Sequence, residues 1–208
     1  MGWKISIIIV NKPTKVDNEK LLRDLGIKRF IKTDDTTFEN TIGLFTNKIY
    51  IGEYKDNLII YEWTLPDKII QNNDTESEKL LVRKFPNSEI CIIKLVSNVN
   101  FWGYKIINKG RIIRHRAGDG DKGTYIDSGA PLEEEIPLLN KSSIDGDGNK
   151  FYKFDEQPDE LFSEDQVGEN FVFEICKRYF GETLDTADEL LYNTIFIGYQ
   201  KKAWWRFW

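Results

Sequence analysis

Two short apolar runs constrain this chain more than anything else in it. Residues 4–10 read KISIIIV and residues 90–96 read ICIIKLV, both nearly unbroken and rich in β-branched side chains. Runs of this length are too short for a buried helix and far short of the ~20 residues of a membrane span. They fit central strands buried on both faces. A chain organised around such strands must supply covering elements for each face.

Those elements can be read from the remaining punctuation. Asp17 is placed to cap a short helix in which Leu21, Leu22 and Leu25 share a face before Gly26. IYIGEY and LIIYEW flank Lys55-Asp56-Asn57 as a hairpin, and 101–107 and 111–116 form a second across Asn108-Lys109-Gly110. Thr75 with Glu78 has the form of a capping box for a helix that ends at Pro86. Ser163 with Gln166 opens a longer helix in which Val167, Phe171, Ile175 and Tyr179 recur up to Gly181. A further box, Thr186 to Glu189, predicts a short helix through Leu190 and Leu191, and 194–199 a last strand. The stretch 117–159 is rich in Gly, Asp, Glu, Pro and Ser and reads as long loops with one or two short strands.

The fold class expected is α+β, with a mixed or antiparallel sheet, helices on one side and a helical C-terminal segment. Up to residue 96 the order β-α-β-β-α-β is the ferredoxin-like one. The 208 residues are read as a single domain, with 1–116 and 117–208 as an alternative division into a sheet-rich core and a loop-rich, helical part.

Charge and cysteine usage narrow the setting. The 34 acidic residues outweigh the 29 basic ones, for a net charge of -5. That balance disfavours general nucleic-acid binding and leaves a small anionic ligand or a protein partner. Cys91 and Cys176 both fall in apolar patterns, as buried thiols in a reducing compartment do. With no apolar stretch long enough for a leader or a span, the expectation is a soluble cytoplasmic protein without membrane contact.

The catalytic census is largely negative. His115 is the one histidine, which excludes multi-histidine metal centres, and neither C-x-x-C nor G-x-S-x-G occurs. No cofactor is called for. The run Gly118 to Thr124 has the composition of a phosphate loop, yet Lys122 precedes Gly123 where a Walker loop needs lysine after its last glycine.

What remains is a basic strand. In Arg111-Ile112-Ile113-Arg114-His115-Arg116, alternation puts Arg114 and Arg116 on one face and Arg111 and His115 on the other. Trp102 and Tyr104 lie on the neighbouring strand, so these side chains could grip an anionic ligand. The competing reading pairs the arginines with acidic residues of the following loop across a solvated face. As an enzyme the chain would use an arginine clamp with His115 or an aspartate of the following loop, Asp119, Asp121 or Asp127, as base. The absent motifs favour a non-catalytic binding protein over that alternative.

Two further features carry expectations. Asp145, Asp147, Asn149 and Glu156 match positions 1, 3, 5 and 12 of a calcium loop, but Lys150 stands where that loop needs glycine. A hairpin turn explains the Asp-Gly pairs without a metal. The tail Trp204-Trp205-Arg206-Phe207-Trp208 either packs on the chain's own core or anchors a protein partner through Trp204, Trp205, Arg206 and Trp208.

Met1-Gly2-Trp3-Lys4, the segment 97–116 (SNVNFWGYKIINKGRIIRHR) and the run from Gly129-Ala130-Pro131 through Glu135 together resemble a family of uncharacterised bacterial proteins. That family has an M-G-x-K start, a W-x-x-Y/F…R hairpin and a G-x-P-x-x-x-E loop, with different spacing inside the hairpin. The resemblance implies a bacterial protein with no assigned activity or cofactor. It also implies one continuous domain in which the hairpin and the Gly129 loop belong together.

Overall fold

The computed structural model describes residues 2–43, 47–72, 75–146, 148 and 150–202. Its first strand, β1 (Lys4–Asn11), is followed by α1 (Asn18–Asp24), β2 (Phe30–Lys32) and β3 (Thr36–Thr37). Next come the hairpin β4 (Lys48–Tyr54) and β5 (Asn57–Glu62), then α2 (Leu65–Ile70), α3 (Thr75–Lys84) and β6 (Glu89–Val96). The ribbon β7 (Phe101–Asn108), β8 (Arg111–Asp119) and β9 (Gly123–Ser128) leads through α4 (Ile136–Leu139) to three strands: β10 (Ser142–Ile144), β11 (Lys150–Phe154) and β12 (Gln157–Ser163). Then α5 (Glu164–Phe180) leads to β13 (Ile195–Lys201).

The fold is α+β with antiparallel pairing throughout. A ten-stranded sheet runs β2-β13-β4-β5-β1-β6-β7-β8-β9, with β3 also on β13, and β10-β11-β12 form a second sheet. The strand β1 lies between β5 and β6, with Ile8 opposite Ile60 and Ile92. Its Ile5, Ile7 and Ile9 enter one core and its Ile8 and Val10 another. All five are fully buried, each contributing about 1.5–3 kcal/mol relative to exposure.

Because both faces of β1 are apolar, both must be covered, and this corrects the expectation of helices on one side. Leu21 and Leu22 of α1, Ile69 and Ile70 of α2 and Leu81 of α3 cover one face. Val167, Phe171 and Ile175 of α5 cover the other, together with Tyr152 of the small sheet. The long helix starts as its sequence predicts, with the Ser163–Gln166 capping box, and stops at Gly181 in the left-handed region (φ 76°).

Local signals decide several ends. Asp17 Oδ1 accepts from Lys20 N at 2.8 Å, capping α1. Both hairpins turn through left-handed pairs, Lys55 and Asp56 in one and Lys109 and Gly110 in the other.

Elsewhere the structure departs from expectation. Glu78 faces Lys105 rather than closing a box, and the helix begins at Thr75 itself. The Thr186–Glu189 box opens no α-helix: a 3-10 turn (Leu184–Thr186) is followed by a π turn (Glu189–Asn193). The stretch 117–159 holds β9, β10, β11 and the start of β12, because strands with a solvated face carry many polar residues. Among the described residues no helix is long and apolar enough to cross a membrane.

Candidate functional site

The basic strand lies inside the molecule. Tyr104 stands opposite Arg116 and Ile106 opposite Arg114, so both arginines share a face with Trp102 and Tyr104, looking toward α5. Arg114 is 1% exposed and Arg116 0%. Neither arginine could stay charged there without internal partners. Arg114 Nε and Nη2 donate to Glu135 at 2.8 Å each, and its Nη1 donates to Asp127 Oδ1 at 2.5 Å and to Gly129 O at 3.0 Å. Burial opposes its charge, but Glu135 and Asp127 outweigh burial and hold the guanidinium above its ordinary pKa.

Arg116 is held differently. Its Nη2 donates to Glu164 Oε1 at 2.5 Å, and the guanidinium lies 4.1 Å from the Phe171 ring centroid. Its Nε and Nη1 make no hydrogen bond and face Asp127 at 3.5 Å and Glu135 at 3.7 Å through charge alone. Tyr104 Oη donates to Glu135 Oε1 at 2.6 Å and Tyr152 Oη to Glu164 Oε1 at 3.1 Å. Asp127 and Glu135 come from the stretch that follows, as the competing reading has it, but Glu164 comes from α5 and the pairing is internal. Arg114 and Arg116 hold the hairpin, the Gly129 loop and α5 together, and present no free face to a ligand.

His115 lies on the opposite face, where Nε2 is 2.9 Å from Ile70 O. Burial, then Lys105, pushes its pKa down to about 4. Arg111 was expected to share that face, but the ladder slips between Ile106 and Ile107, so that Ile112 pairs with Ile107 and Arg114 with Ile106. The bulge at Ile113 reverses the alternation and leaves Arg111 exposed at the hairpin end. Asp119 Oδ1 accepts from Asp121 N and Lys122 N, tying off the β8–β9 turn. His115, Asp119 and Asp121 therefore do not converge with the arginines; Asp127 does, but as an ion-pair partner of both, so the buried guanidinium groups are taken up internally and no open arginine clamp forms.

The calcium-loop residues are also separated. Asp145 precedes β11 and Glu156 follows it, at opposite ends of a five-residue strand about 17 Å long. One ion cannot bridge them. Asp147 and Asn149 lie outside the described residues, as do Trp204, Trp205, Arg206 and Trp208 of the tail. Among the described residues no group of three or more His, Cys, Asp or Glu side chains could hold a metal.

A cleft that the sequence reading missed opens beside the first hairpin. It has a volume of about 580 Å³ and is walled by residues 12–16, which leave β1, and residues 53–58, the β4–β5 turn. Lys12 adopts the left-handed conformation (φ 47°), and its N–H donates to Asp56 O at 2.8 Å, fixing one wall to the other. Asn57 Nδ2 donates to Lys55 O at 2.8 Å and Tyr179 O at 2.7 Å, so the turn is anchored to the end of α5. Lys12 and Lys15 are exposed, and neither has an ion-pair partner among the described residues. Glu53 and Asp56 stand exposed on the hairpin wall.

Lys55 differs from the other two lysines. Its Nζ donates to Phe180 O at 2.7 Å and Glu182 Oε1 at 2.8 Å, while Tyr54 Oη donates to the same carboxylate oxygen at 3.1 Å. Glu182, then Tyr54, raises the Lys55 pKa, and Lys55 in turn lowers that of Glu182. The sequence signal was N-K-P-T-K (11–15), two lysines bracketing Pro-Thr at a strand end, with a lysine in a turn some forty residues on.

No protein-family model matches the chain, and no curated protein and no solved structure is detectably similar to it.

Proposed function

We propose that this is a non-catalytic binding protein whose ligand is a small polar molecule carrying an oxyanion, held in the cleft between residues 12–16 and 53–58. One observation carries the reading: Lys12 and Lys15, exposed and without an ion-pair partner among the described residues, line a cleft of about 580 Å³, within the usual range for small-molecule sites. Ammonium–oxyanion bonds are strong enough to orient a ligand there. Glu53 and Asp56 on the facing wall supply acceptors for its hydroxyl or amine groups. The net charge of -5 favours a small anion over a polyanion such as nucleic acid. The test is thermal unfolding with inorganic pyrophosphate. A rise in Tm that disappears in Lys12→Ala/Lys15→Ala supports the reading, and an equal rise in both proteins refutes it.

Two finer readings accompany this one. The antiparallel order β4-β5-β1-β6, with α1 and α3 on one face, supports a ferredoxin-like arrangement of the first half. The buried free thiols Cys91 and Cys176 support a reducing, cytoplasmic setting.

A further inference from the structure

We infer that Glu182 is a built-in counter-ion for the cleft, holding Lys55 until a ligand with more than one negative charge displaces it. This rests on the cleft reading above and adds the charge class of the ligand and a competitor for its site. Three lysines line the cleft, and among the described residues only Lys55 has an ion-pair partner. The side chains of Lys55 and Glu182 are 49% and 34% exposed, so the pair sits in water and is held weakly. The lysine stem is flexible, and a small rotation transfers its ammonium from the carboxylate to a ligand in the cleft. In the free protein Phe180 O holds the Lys55 ammonium, and Tyr54 Oη holds the Glu182 carboxylate beside it.

The competition sets a threshold. A ligand with a single negative charge gains little by replacing a carboxylate that already carries one. A diphosphate or dicarboxylate engages Lys12 and Lys15 and still has charge left for Lys55. The site therefore selects for charge as well as for shape.

The experiment is calorimetric titration of inorganic pyrophosphate into the full chain and four variants: Lys12→Ala/Lys15→Ala, Glu182→Gln, Lys55→Met, and Glu182→Gln with Lys55→Met. Glu182→Gln is expected to bind pyrophosphate about three- to fivefold tighter, the scale of an exposed ion pair. In the Lys55→Met background the same substitution is expected to change nothing, because the two residues act on one another. Binding by Glu182→Gln where the wild type shows none also supports the inference. If the paired lysine variant loses binding while Glu182→Gln is unchanged, or its gain persists without Lys55, the inference is overturned and the cleft reading stands. If no variant binds pyrophosphate, both fall. Thermal unfolding of each variant without ligand separates loss of binding from loss of fold.

Discussion

The Arg114 guanidinium and the Glu135 carboxylate meet in two parallel bonds of 2.8 Å, with the residues 1% and 0% exposed. Glu135 also accepts from Leu132 N at 2.8 Å and from Tyr104 Oη, so one carboxylate joins the β7–β8 ribbon to the turn before α4. A buried pair of this kind contributes little net stability while intact, but losing one member leaves the other's charge uncompensated.

Glu135→Ala is therefore expected to destabilise the protein by about 3–5 kcal/mol, measured by urea unfolding. Replacing Arg114 and Glu135 together with Met and Leu should cost far less than the two single changes added. Additive losses would show that the pair is not coupled as described.

His115 makes the protein acid-sensitive. Its pKa is depressed to about 4, below that of the unfolded chain, so protons favour unfolding as the pH falls from about 6.5 toward 4. Lys105 and Arg114 oppose its protonation and Glu78 favours it. Stability should fall by about 2 kcal/mol between pH 7 and pH 5. As the chain's one histidine, it is the group that titrates in this window. Comparing urea midpoints at the two pH values with those of His115→Gln checks this, since the variant should show little change.

Lys94 is buried on the face under α2, with Nζ donating to Trp63 O at 2.7 Å and no carboxylate in ion-pair reach among the described residues. Burial lowers its pKa to about 8, only partly offset by Asp67 and Glu62. A depressed amine favours unfolding below its folded pKa, so stability should climb from about pH 8 to the unfolded value near 10.5. Lys94→Met should stabilise the protein at pH 7, on the order of 1–3 kcal/mol, and flatten that climb. Ser6 Oγ still bonds Trp63 O in the variant. A destabilised Lys94→Met would contradict this.

The indole of Trp102 lies against α5 at Gly168, where an added Cβ would come within 1.9 Å of the ring. Gly168→Ala should destabilise by roughly 1–3 kcal/mol through overpacking. Trp102→Leu in the same chain should recover part of that loss. Failure of Gly168→Ala to lower Tm would mean that α5 does not approach β7 this closely.

Much of this fold is legible in the sequence because its signals are local. The runs 4–10 and 90–96, the Asp17 and Ser163 caps and both left-handed turns each depend on a few neighbouring residues. The strands β9, β10 and β12 were hidden because their surface faces are polar, whereas Phe151 to Phe154 already reads as the strand that β11 is. The bulge at Ile113 was hidden because one extra residue changes no composition yet reverses every later side chain. The site was harder still. Arg114 and Arg116 read as surface charges until Glu135 and Glu164, distant in sequence, are seen beside them. The cleft exists only where residues 12–16 meet a hairpin turn brought alongside by the pairing of β1 with β5.

A two-dimensional amide NMR titration with inorganic pyrophosphate shows whether the cleft between residues 12–16 and 53–58 takes an oxyanion. Shift changes should be concentrated in the backbone amides of residues 12, 14–16 and 53–58 and be lost in Lys12→Ala/Lys15→Ala. Saturable changes centred instead on the ribbon around Arg114, or none at all, would contradict the account.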